Sequence, residues 1–140
     1  METKSTAPSA DGFPRPPSDR ESEILEFLLG LDDDRLAPLR EQARTVVVAG
    51  TCACSCATVD LAVDRDRGSP AKLCSPVVSA DARMADGVPA VGLLLFLDEG
   101  WLSLLEIWYI DDPPAEFPAA TVFDTPRFEC DRRPGDIPGH

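Results

Sequence analysis

The 140-residue chain carries 25 acidic against 13 basic side chains, a net charge of −12, with an apolar content of 44% that suits a globular core. Its length argues for one domain. Nucleic-acid binding needs a basic footprint and anionic membranes attract cationic surfaces, so the charge excludes both partner classes and points to solubility or to a basic partner.

Residues 1–17, "METKSTAPSADGFPRPP", hold four prolines and no apolar periodicity, the composition of a disordered tail. The stretch also lacks the apolar core of a signal peptide, and the longest apolar run, "VGLLLFL", is far too short to span a bilayer. A cytoplasmic protein is expected, with its five cysteines as thiols or metal ligands rather than a disulfide framework. Residues 18–112 form the expected single domain. They carry 18 acids and 8 bases, a balance of −10. Residues 113–140 hold six more prolines and read as largely irregular.

Within the domain, "SDRE" places Ser18 as an N-cap with Glu21 three residues on, the capping-box pattern. Ile24, Leu25, Leu28, Leu29 and Leu31 follow at helical spacing, and Gly30 marks the end. The run Asp32 to Asp34 caps a second helix, "RLAPLREQA", in which Pro38 must sit in the first turn and Leu36, Leu39 and Ala43 face inward. After Arg44 the period changes to two. "TVVVAG", "ATVDLAVD" and "VVSADARM" read as strands. "VGLLLFL-DEG-WLSLLEIWYI" reads as a hairpin with a three-residue turn and a bulge at Gly100, stopped by Asp111-Asp112-Pro113-Pro114. The expected fold is α+β, two N-terminal helices packed on a four- to five-stranded antiparallel meander sheet.

Cys52, Cys54 and Cys56 crowd the connection between the first two strands. An extended strand sets alternate residues about 6.6 Å apart, so only a tight turn through Ala53 and Ser55 could gather three thiolates on one zinc ion. The fourth ligand would be Cys74, Cys130 or water. The two-residue spacing of zinc and redox motifs is missing, and the single histidine, His140, lies at the far end of the loose tail. Small residues in a turn are therefore the preferred reading, and a zinc site on Cys52, Cys54, Cys56 and Cys74 the alternative. "GTCACS" lacks the lysine and spacing of a phosphate loop, and a Ser-His-Asp set has no internal histidine.

Glu106 lies among apolar residues and shares a strand face by parity with Leu102, Leu104, Trp108 and Ile110. Burial there would raise its pKa and mark a third option, an enzyme using Glu106 and nearby acids. Trp101, Trp108 and Tyr109 stand on the same hairpin. A sheet face carrying them without a covering layer would be a partner site, or the seam of a two-fold homodimer.

"EILEFLLGLDDDRLAPLREQARTVVVAG", the cysteine cluster and "DEGWLSLLEIWYIDDPPAEFP" together resemble a group of small uncharacterised actinobacterial proteins over roughly residues 18–118. The arginine-rich basic set, 11 of 13, suits a GC-rich genome. The resemblance implies a helical opening, a Cys-rich turn and a Gly-Trp-Leu-Ser hairpin, and carries over no catalytic residues. The hairpin ending also resembles small acidic immunity-type proteins that neutralise a toxin. The expected function is a non-catalytic protein that binds a protein partner, a basic one by charge, through Trp101, Glu106, Trp108, Tyr109, Asp111 and Asp112.

Overall fold

The computed structural model describes residues 12–52, 56–83, 89–110 and 114–131. Helix α1 (Asp19–Leu29) starts at the expected capping box: Ser18 Oγ accepts the Glu21 N–H at 3.1 Å, and Glu21 Oε1 accepts the Ser18 N–H at 2.8 Å. Arg15 adds a bidentate pair to Glu21 at 2.8 and 2.9 Å. Burial pushes the Glu21 carboxyl up, but the Arg15 guanidinium and the Ser18 N–H and hydroxyl outweigh it and hold the pKa below the usual value. Asp33 caps a 3-10 turn (Asp34–Leu36), and Pro38 sits in the first turn of α2 (Ala37–Gln42).

Six strands follow: β1 (Val47–Thr51), β2 (Val59–Ala62), β3 (Val78–Arg83), β4 (Pro89–Asp98), β5 (Trp101–Tyr109) and β6 (Arg127–Phe128). The fold is α+β with one antiparallel sheet, in the order β1-β2-β5-β4-β3-β6. Two expectations need correction. Among the described residues the strand count is six, and the sheet is not a simple meander: β2 lies beside β5, so β2 to β5 take a Greek-key order. The 63–77 connection makes this crossover at the end of the β4–β5 hairpin, where the Ala71 N–H donates to Gly100 O at 2.9 Å. Gln42 closes the same junction. Its amide donates to Ser69 O at 2.8 Å and Gly100 O at 2.9 Å, and its Oε1 accepts the Leu102 N–H at 2.9 Å. Helical periodicity gave no reason to bury Gln42. It is 2% exposed because it satisfies backbone groups that the hairpin end leaves unpaired.

The hairpin turn also differs from expectation. Asp98 pairs directly with Trp101, leaving a two-residue turn in which Glu99 (φ 50°) and Gly100 (φ 89°) both have positive φ, the requirement of a type I′ turn. A side chain at Gly100 would also collide with Ala71 O. The extra residue comes later, at Ser103: Phe96 pairs with Leu104, whereas Leu97 pairs with Leu102.

One face of the sheet meets both helices. Ile24, Leu28, Leu36 and Leu39 share a core with Val48, Val59, Leu61, Val78, Ala80, Leu93, Leu95, Leu105 and Ile107. Residues 114–131 belong to the same unit. Phe117 and Phe123 are buried, Phe123 against Phe27, and β6 lines the outer edge of β3. The segment is irregular as its prolines suggest, yet two aromatic anchors tie it down.

A disulfide joins Cys74 to Cys130, with Cα atoms 5.4 Å apart, inside the range a disulfide requires. Cys52 is likewise disulfide-bonded. These bonds correct the expectation of thiols: a sulfur already bonded to sulfur carries no thiolate charge for zinc. Cys52 and Cys74 are thereby removed from the four-ligand set, and Cys130 from the reserve. Cys54 lies outside the described residues, and Cys56 is buried.

Arg35 ties the end of residues 114–131 to the turn before α2. It bonds Asp33 at 2.7 Å and Asp131 at 2.8 Å and lies 4.1 Å from the centre of the Phe128 ring. Its guanidinium holds Asp33 down to about 2 and Asp131 below the usual carboxylate range.

Two outcomes follow for stability. The Cys74–Cys130 bond closes a span of 56 residues, so reduction, or a Cys74→Ser, Cys130→Ser double variant, should cost about 2–4 kcal/mol in urea unfolding. Lowered carboxyl pKa values stabilise above the unfolded-state values and lose that effect as pH falls through the folded ones. The Arg35 contribution is therefore complete above about pH 4 and declines toward pH 2. Melting temperature against pH should show a flatter acid limb in Arg35→Gln than in the parent chain.

Candidate functional site

Alternation along β4 and β5 sends Leu93, Leu95, Leu105 and Ile107 into the core, none more than 2% exposed. Leu94, Phe96, Leu104, Glu106 and Trp108 point to the other face, and all five are only half-buried. Among the described residues no layer covers them, because the helices and Phe117 and Phe123 all pack into the core on the opposite side. Cross-strand pairing sets this face out in three rows: Asp81–Gly92–Trp108, Ser79–Leu94–Glu106 and Phe96–Leu104–Asp60.

Gly92 shapes the first row. A Cβ there would overlap Nε1 and Cε2 of Trp108, so the missing side chain lets the indole lie across the strand. Beyond it Asp81 is 3% exposed. Its Oδ2 accepts from Arg127 at 3.0 Å, and its Oδ1 is buried without a hydrogen-bond partner. Ser79 donates its hydroxyl to Glu129, whose carboxylate lies 3.8 Å from Arg127 Nε. Two buried carboxylates thus lie beside the Arg127 guanidinium at this margin.

The expected site residues separate. Glu106 and Trp108 are neighbours on the open face. Trp101 is 9% exposed, with Arg65 5.2 Å from its ring centre and Gly68 against its edge, so it belongs to the packing of the 63–77 connection. Tyr109 pairs with Val91 and packs against the core from the helix side. Leu102 leaves the Glu106 face and is 2% exposed in the core, because the extra residue at Ser103 reverses parity on one side of it. Asp111 and Asp112 lie outside the described residues. Leu94 and Phe96, which sequence reading did not assign to the site, complete it; alternation within "VGLLLFL" is the signal that could have found them.

Among the cavities that open elsewhere, two have the larger volumes. One of about 310 Å³ lies between the helices, lined by Leu25, Leu29, Arg40, Ala43 and Val46. There the Arg40 side chain is engaged by the carbonyls of Leu29, Leu31 and Asp33. The other, about 410 Å³, is bordered by Arg15, Glu21, Cys56, Glu116 and Phe117, with Arg15 and Glu21 paired to each other. Neither includes Glu106. Among the described residues no group of three acidic, Cys or His side chains is placed to hold a metal ion, and no helix is long and apolar enough to cross a membrane.

Comparison of the chain with protein-family models, with curated proteins and with solved structures finds no match. The reading of the site therefore rests on its own geometry.

The Gly92–Trp108 contact is directly testable. In Gly92→Ala the indole must lift from the strand while the core face is untouched. The Trp108 indole resonance should move and Trp101 stay in place, with a stability loss of about 1 kcal/mol.

Proposed function

We propose that this chain is a non-catalytic binding protein whose docking surface is the open face of β2, β5 and β4. The observation that carries the reading is the uncovered set Leu94, Phe96, Leu104 and Trp108 around the carboxylate of Glu106. Contiguous half-exposed apolar side chains with an aromatic centre fit the buried middle of a protein interface. Glu106 and Asp60 on the face, and −12 over the whole chain, favour a basic protein partner over a second copy, since two copies would bring like charges together. An immunity-type role, an acidic protein that holds and masks a basic one, is an instance of this class. The sequence suggested a cytoplasmic setting; the Cys74–Cys130 bond favours an oxidising one.

A photo-cross-linking residue at Phe96, compared with one at the exposed Glu41 of α2, tests the surface in an extract of the native cell. A heterologous adduct is expected from Phe96 alone, and Leu104→Arg should abolish it. Adducts from both positions alike, none from Phe96, or only a two-copy adduct would overturn the reading.

A further inference from the structure

Among the described residues, three arginines share one environment, an aromatic ring on one side and a carboxylate on another. Arg35 lies 4.1 Å from the Phe128 ring centre and bonds Asp33 and Asp131. Arg65 lies 5.2 Å from the Trp101 ring centre, with Asp98 at 3.9 Å. Arg15 lies 5.9 Å from the Phe13 ring centre and bonds Glu21 at 2.8 Å. In each the ring quadrupole and the carboxylate attract the same cation. The open face holds the same two components without the cation. Trp108 and Glu106 are two residues apart on one strand face, about 6.6 Å between Cα atoms. Among the described residues, no arginine or lysine is bonded to Glu106 or stacked on Trp108. The Trp108 indole lies against Gly92, and the residue stays half-buried rather than enclosed. Asp81, in the same row, adds a buried carboxylate oxygen with no hydrogen-bond partner.

We infer that the space beside Trp108 and Glu106 receives a guanidinium side chain from the partner, held between the indole face and the carboxylate. This rests on the docking reading above and specifies its anchor: a partner arginine projecting from an otherwise apolar contact. Arginine suits the position better than lysine because its planar cation stacks on an aromatic face while its N–H groups reach a carboxylate. The surrounding Leu94, Phe96 and Leu104 would exclude water from the pair, which strengthens both attractions.

The full-length, isotope-labelled protein provides its own control, because its two tryptophans give separate indole N–H signals and Trp101 already carries Arg65. The probe is a blocked pentapeptide, Thr-Val-Arg-Val-Thr, with a twin in which citrulline, nearly isosteric and uncharged, replaces the arginine. The arginine peptide should move the Trp108 indole signal saturably and leave Trp101 unmoved. The citrulline twin should bind roughly tenfold more weakly. Glu106→Gln, a half-exposed change that leaves the core alone, should weaken the arginine peptide by a similar factor and erase the difference between the two. Equal binding of both peptides, unchanged affinity in Glu106→Gln, or no saturable movement at Trp108 would remove the anchor. An adduct at Phe96 that survives Glu106→Gln at full yield would leave the face as a docking surface and refute the arginine alone. Absence of any Phe96 adduct refutes the docking reading itself.

Discussion

The register of β5 against β4 is the constraint on which the rest of the molecule depends. Positive φ at Glu99 and Gly100 fixes the start of the pairing at Asp98 and Trp101. One extra residue at Ser103 then reverses the facing of everything beyond it. Without that residue, Leu102 and Leu104 would share a face. Either Leu105 and Ile107 would leave the core, or Leu102 would. With it, both ends of the strand supply the core, and the outward set is confined to Leu104, Glu106 and Trp108. Gln42 stabilises the junction by taking the Leu102 N–H and the Gly100 carbonyl. A single polar side chain of α2 thereby connects the helical layer to the end of the central hairpin.

Short flanking segments of the chain cover parts of both sheet edges. Arg15 pairs with Val48 on the β1 side, and β6 pairs with Val78 and Ser79 on the β3 side. Open edges invite strand addition by other chains, and covering them blocks that route. The segment that covers β3 is secured by several unlike interactions: Phe117 and Phe123 in the core, the Cys74–Cys130 bond, the Arg35 pairs and the Asp81–Arg127 contact. A small domain has a limited apolar core, and such cross-links compensate.

Charge is distributed unevenly between the pairs and the surface. Arg15, Arg35, Arg40 and Arg127 are bonded to carboxylates or backbone carbonyls of this chain. Their positive charge is therefore largely committed within the fold, while Asp60 and Glu106 face outward unpaired among the described residues. Two of the acidic side chains that give the chain its net charge of −12 therefore stand on the open face without an internal cation.

Much of the fold was legible in the sequence, because its signals are local. The capping box at Ser18, the period of α1, the proline in the first turn of α2 and the alternation of β2 each depend on neighbours within one or two turns or strand steps. Composition likewise determined the acidity, and the apolar runs on either side of Asp98 determined that a hairpin would dominate the sheet. Long-range pairing decided the rest. The place of β2 beside β5 depends on where the 63–77 connection crosses, and the joining of Cys74 to Cys130 depends on two loops meeting after the sheet has formed. The setting apart of Trp101 from Trp108 depends on Arg65 and Gly68 arriving from the 63–77 connection. Local propensity carries no record of such contacts, whose partners lie dozens of residues away. Parity alone placed Glu106 and Trp108 on one strand face; only the assembled sheet decided that no layer of the described residues covers this face.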